Sequence, residues 1–240
     1  HYSDITSIGC HTALWNFTQQ QYHEWILKEG IQPLLAPLKK SFDQIRIHID
    51  GKPLYCGIGL HDSSASLIPY QLSVQEPFVL VSTGTWSICM NPFTNTHLSI
   101  EELDQDCLCY LSFKGTPIKA SRLFMGYQHE KEVKIISENF HTNADFFNSL
   151  NYDPYRHATV SVIDTDGKKN FSEFQNAIDA YYSLVAKLVK LQVQAIHLVQ
   201  EKNIKKIFVD GGFSQNSIFM NMLAQALPAN EIYATIEPQA

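Results

Sequence analysis

The feature that most restricts the fold is a helix, a strand, a glycine pair and a second helix in unbroken succession. Across residues 174–201, Ile178, Tyr181, Tyr182, Val185, Leu188, Val189, Val193, Ile196 and Val199 recur every three or four positions, the period of one long amphipathic helix. Ile207, Phe208 and Val209 then read as a short buried strand that ends in Asp210-Gly211-Gly212, and Phe219, Leu223 and Leu227 mark the apolar face of the next helix. Layered α/β sheets use this order. Adjacent glycines let backbone approach a ligand where a β-carbon would collide, and helix-start N–H groups favour phosphate. An ordinary strand-to-helix turn uses the same residues.

The sequence has 240 residues, 45% of them hydrophobic, enough for one large domain or one domain plus part of another. A net charge of −6 without a Lys/Arg cluster argues against a nucleic-acid surface. No apolar run approaches the length of a membrane span. The five cysteines (Cys10, Cys56, Cys89, Cys107, Cys109) fit reduced thiols and a cytoplasmic setting. The sequence opens on His1 and stops without a closing helix, so a piece of a longer chain is expected.

Residues 5–11 read as a loop. Leu14, Phe17, Tyr22, Trp25 and Ile26 predict a helix with an aromatic core face, stopped at Gly30. Alternation of Ile45, Ile47 and Ile49 predicts a strand, Asp50-Gly51 a turn, and residues 54–58 a second strand. In Gly57-Ile58-Gly59-Leu60-His61-Asp62-Ser63-Ser64-Ala65, small residues place Asp62 where a strand meets a helix. A plain helix cap explains it as well as a catalytic carboxylate does. Residues 77–90 predict a β-hairpin whose Ser82-Thr83-Gly84-Thr85 tip offers hydroxyls and flexible backbone, as structural turns also do.

Further strands are expected over residues 96–98 and 108–112, a turn over 114–117, and helical core from Leu123, Phe124, Met125 and Tyr127 through Val133, Ile136 and Phe140. Residues 145–169 read as a surface loop, in which Asp164 and Asp166 fit an exposed turn better than a metal site. Ile232, Tyr233 and Ala234 read as a last strand.

Three motifs together carry a resemblance. Val209-Asp210-Gly211-Gly212-Phe213-Ser214-Gln215-Asn216 with Met222-Leu223-Ala224-Gln225 resembles the adenosine motif of the FGGY carbohydrate kinases. The Gly57, Gly59, Asp62 and Ala65 spacing is similar to that family's catalytic Asp motif, and residues 82–86 resemble its second phosphate hairpin. The rhamnulokinase and xylulokinase branches are nearest.

The resemblance implies an α/β, ribonuclease H-like (actin-like ATPase) domain with a mixed sheet flanked by helices. Residues 1–54 would be the tail of the N-terminal domain, and residues 55–240 a C-terminal nucleotide-binding domain incomplete at its end. It implies ATP and Mg²⁺ as cofactors and a sugar such as rhamnulose or xylulose as substrate, and it leaves room for a homodimer.

In residues, it implies Asp62 as general base; Thr83, Gly84, Thr85, Gly211, Gly212 and Asn216 at ATP; and His61, His11 and Thr12 at the sugar. The family's first Asp-x-Gly-Thr hairpin is absent from these residues, so this polypeptide alone is expected to bind nucleotide weakly and turn over poorly. A non-catalytic actin-like module that binds sugar or nucleotide is the alternative. A dinucleotide fold is disfavoured because no Gly-x-Gly-x-x-Gly follows a strand.

Overall fold

Asp4 sets the first elements. Its carboxylate accepts the Ser7 backbone N–H at 3.0 Å and caps a one-turn helix, α1 (Ile5–Ile8), behind the short strand β1 (Ser3–Asp4). The sequence reading had a loop here; the Asp-x-x-Ser cap is what it missed. The helix expected from Leu14 to Ile26 is instead a small antiparallel hairpin, β2 (Trp15–Asn16) and β3 (Gln21–Tyr22), followed by α2 (Glu24–Lys28). Asn16 is the reason: its side-chain oxygen accepts the N–H groups of Thr18 and Gln19, an Asx turn that competes with helix. Trp15 is buried with Ile5, Ile8 and Leu111, whereas Trp25, expected in the core, is exposed.

The strand β4 (Leu38–Lys39) pairs parallel with β1. Then β5 (Gln44–Ile49) and β6 (Lys52–Gly57) form the antiparallel hairpin read from the Ile alternation, closed by Asp50 and Gly51, both at positive φ. The chain continues through α3 (Asp62–Ser66) and α4 (Ile68–Ser73) to β7 (Phe78–Thr83) and β8 (Ser87–Asn91). Next come α5 (Ile100–Asp104), β9 (Cys107–Leu111) and β10 (Pro117–Leu123). The sequence reading missed β10 and gave Leu123 to a helix. Polar residues hid the strand: Lys119 pairs with Glu102, and the buried Ser121 hydroxyl donates to the Ala195 carbonyl at 2.6 Å.

The rest is α6 (Met125–Phe140), α7 (Pro154–Thr159), α8 (Ala177–Val199), β11 (Lys206–Gly211), α9 (Ser217–Ala226) and β12 (Glu231–Ala234). Where a surface loop was expected there is α7, capped by Asp153, and ahead of it the buried Phe147 lies on Tyr181 with ring centroids 4.7 Å apart. The computed structural model describes residues 1–10, 12–94, 98–160 and 171–235. Asp164, Asp166 and most of the strand expected over 96–98 lie outside them.

The chain forms two compact units. One comprises His1–Glu76 and Asn91–Ala120; the other comprises Pro77–Met90 and the chain from Ser121 on. In the second unit the strands run in the order β12-β11-β7-β8. Both neighbours of β11 are parallel to it, and β7-β8 is antiparallel. This mixed sheet is flanked by helices: α8 packs on β7, and α9 on α8 and β12. Phe78, Val79, Leu80 and Val81 are consecutive and fully buried, because both faces of β7 are covered. Ile207, Val209, Leu184, Leu188, Phe219 and Leu223 fill the same core.

Candidate active site

The second unit brings the hairpin tip and the glycine turn together. The β7–β11 register sets Thr83 opposite Gly211 and Ser82 opposite Asp210. The buried Thr83 hydroxyl donates to the Asp210 carbonyl and accepts the Phe213 N–H at 3.1 Å, so one side chain clasps the turn from both sides. Gly211 is required on two counts. Its φ is +81°, and a β-carbon there would stand 1.8 Å from the Thr83 carbonyl oxygen. Gly212 is exposed with open space where its β-carbon would be, and Gly84 and Thr85 are exposed at the hairpin tip. Exposed backbone at Gly84, Thr85 and Gly212 thus surrounds a buried clasp.

The turn does not pass straight into α9. A 3-10 turn (Gly212–Gln215) intervenes, and Asn216 caps α9 by accepting the Phe219 N–H at 3.0 Å. The Asn216 amide donates to the Tyr181 hydroxyl at 2.7 Å, and His129 Nε2 lies 3.2 Å from that same hydroxyl. Burial drives the His129 imidazole down to about 4, against the pull of the Glu132 carboxylate, and drives the Tyr181 phenol up to about 12, against the Asn216 hydrogen bond. Both are neutral at pH 7.

Sequence reasoning missed three residues here. A β-carbon on Gly126 would stand 1.9 Å from the Gly84 carbonyl oxygen, and the neighbouring Tyr127 N–H donates to Thr85 at 3.2 Å. The start of α6 is therefore a third wall of the hairpin tip. Helical periodicity from Leu123 onward marked this stretch only as core. His129 and Tyr181 gave no signal, because helical periodicity marks Tyr181 only as core. A cavity of about 610 Å³ opens along α6, lined by Tyr127, His129, Glu130, Lys134, Asp145 and Asn148 among others.

The first unit holds Asp62, His61 and Thr12; His11 lies outside the described residues. Asp62 opens α3, and His61, not Asp62, occupies the cap position. The Asp62 carboxylate is 93% exposed, with Oδ1 3.3 Å from His61 Nδ1 and accepting the Ser63 N–H at 2.6 Å. His61 is held from several directions. Its backbone N–H donates to Thr6 Oγ1 at 2.8 Å, Nε2 meets Cys10 Sγ at 3.2 Å, and its ring lies 6.0 Å from that of Tyr110. The Thr12 hydroxyl donates to the Ile8 carbonyl at 2.6 Å and accepts the Leu14 N–H at 3.1 Å. Among the described residues no three His, Cys, Asp or Glu side chains gather as metal ligands, and no helix is long and apolar enough to cross a membrane.

This mixed sheet between helices has the ribonuclease H-like fold of the actin-like ATPases. Residues 75–151 match the family model described as carbohydrate kinase FGGY, C-terminal domain; the match contains the hairpin and Gly126 but neither Asp62 nor the glycine turn. A carbohydrate kinase from Novosphingobium aromaticivorans superposes with a TM-score of 0.75 at 20% identity, over 96% of this chain and 55% of that one. Xylulose kinase from Bifidobacterium adolescentis gives 0.64 at 13% identity over 93% and 51%, and Plasmodium falciparum glycerol kinase, solved with ADP, gives 0.58 at 13% over 93% and 49%. The chain spans about half the length of these structures. No curated protein matches the sequence. The resemblance read from the three motifs is thus borne out by the family model over part of the chain and by the fold over nearly all of it.

Proposed function

We propose that this chain carries the base and the nucleotide cradle of an ATP-dependent sugar kinase acting on a ketose such as rhamnulose or xylulose. The observation that carries the reading is the Thr83 clasp, which locks a hydroxyl-lined hairpin to a paired-glycine turn within one unit. Gly84, Thr85 and Gly212 offer exposed backbone and hydroxyl groups to the ATP phosphates. Thr83, Gly211 and Asn216, whose polar groups are engaged internally, hold those groups in place. With no cluster of metal-ligating side chains among the described residues, Mg²⁺ would be held mainly by the ATP phosphates, where it would supply neutralising positive charge.

Asp62 takes the proton from the attacking sugar hydroxyl. That oxygen forms a bond to the γ-phosphorus as the bond to the β-γ bridging oxygen breaks, and ADP leaves. An exposed carboxylate oriented by His61 suits a base that must meet substrate from solvent. His61, Thr12 and His11 are assigned to the sugar side.

The test is ADP release by this chain and by its full-length protein over a panel of ketoses and polyols, with and without Asp62→Asn. Loss of base catalysis is expected to lower turnover by about 10²–10⁴ while nucleotide binding persists. Turnover that survives Asp62→Asn removes Asp62 as base. Nucleotide binding with no turnover on any sugar would favour the non-catalytic module instead.

A further inference from the structure

The glycine turn is gripped at two ends by residues far from it in sequence. At its front stands Thr83. At its back stands Asn216, whose side chain is used twice: its carbonyl oxygen accepts from Phe219, and its amide donates to Tyr181. The Tyr181 oxygen accepts from Asn216, and the same hydroxyl is hydrogen-bonded to His129 Nε2 at 3.2 Å, in a direction set by the imidazole tautomer. His129 also sets its ring edge-on to Phe213, in the middle of the turn, with centroids 5.1 Å apart. Tyr181 is buried in α8, and its ring stacks on Phe147. Hydrogen bonds in a chain of this kind, shielded from water, orient one another and fix the atoms at their end.

We propose that Tyr181, backed by His129, is a positioning residue for nucleotide binding: through the Asn216 amide it fixes the back of the 211–216 turn, so that the turn presents its exposed backbone in one conformation. The proposal rests on the reading that this turn receives ATP. It assigns Asn216 a role through the turn's geometry, and it assigns Tyr181 and His129 a function beyond filling the core. Ligand affinity falls when a binding loop must be ordered at the moment of binding, so a loosened turn shows its defect in affinity.

The test is titration of the 240-residue chain with a fluorescent ATP analogue and Mg²⁺, using wild type, Tyr181→Phe, Asn216→Ser and the double variant. Tyr181→Phe keeps the ring and removes only the hydroxyl. Asn216→Ser keeps a residue able to cap α9 and removes the amide donor. Each single variant is expected to raise Kd about five- to tenfold, and the double variant no further than the worse single one, because both cut the same link. A residue that merely fills the core would give additive losses or none. Equal affinity of wild type and Tyr181→Phe, or additive losses in the double variant, overturns the positioning role alone. If wild type binds no nucleotide at all, the reading of the turn falls and the proposal with it. If Tyr181→Phe fails to fold, Asn216→Ser with His129→Gln supplies the cycle, with the same outcomes deciding.

Discussion

Gly211 lies against Thr83 with no space for a side chain, a β-carbon there falling 1.8 Å from the Thr83 carbonyl oxygen. The obstacle is backbone at the last pair of the parallel β7–β11 ladder, held there by the Thr83 hydroxyl bonds to Asp210 and Phe213, and it cannot retreat without breaking them. Gly211→Ala also places a β-carbon at φ +81°. It is expected to cost about 3 kcal/mol or more in urea unfolding. Gly212→Ala, with open space at the same turn, should cost less than about 1 kcal/mol. Equal losses at the two positions would contradict the clasp.

Gly126→Ala tests the third wall. The added carbon would collide with Gly84 at the exposed hairpin tip, which can shift outward more easily than the ladder can. The expected result is a modest stability loss, about 1–2 kcal/mol, with nucleotide affinity reduced at least tenfold. Fluorescent nucleotide titration beside a urea melt separates the two quantities.

His129 gives a pH signature. Its imidazole titrates near 4 in the folded chain, against 6.5 when free, so the unfolded chain takes up a proton over that interval that the folded chain refuses. Stability is therefore unaffected by this group above pH 6.5 and is lost as pH falls from 6.5 towards 4. The full loss corresponds to about 3 kcal/mol. His129→Gln should flatten this part of the profile, seen as a smaller difference in unfolding free energy between pH 7.5 and pH 4.5. An unchanged difference would mean that the ring is hydrated.

Cys10 and Cys56 form an internal comparison. Cys10 Sγ lies 3.2 Å from His61 Nε2, and Cys56 is exposed on β6. Burial holds Cys107 near 11 and Cys109 near 12, so both remain thiols at neutral pH. With iodoacetamide at pH 7, Cys10 is expected to alkylate several-fold faster than Cys56, its proton passing to His61 as the S–C bond forms and iodide leaves. Peptide mapping reads the ratio. His61→Gln should abolish the advantage, and a Cys10 rate no greater than that of Cys56 would show that the imidazole does not activate it.

The sequence was most legible where an uninterrupted period of apolar residues runs through an element. The hydrophobic period of α8, the alternation of β5 and the run into β11 lie close to where they were read. The reading failed where side chains decide the backbone. Asn16 converts an apolar helical pattern into a hairpin, Asp4 caps a helix hidden in a polar stretch, and buried Lys119 and Ser121 disguise β10. Motif resemblance found the hairpin and the glycine turn because their residues are consecutive. It could not find Tyr181 or His129, since a hydrogen bond across 35 residues or 52 leaves no local pattern.

The Thr83 hydroxyl reaches across 127 residues to Asp210 and 130 to Phe213. Contacts so distant along the polypeptide close late, after their loop entropy has been overcome. On the ribosome, nothing resembling the cradle can exist until Phe213 has emerged from the exit tunnel. Any product cut short before that point would lack the Thr83 clasp, and its closure marks the moment at which the 211–216 turn takes its final shape.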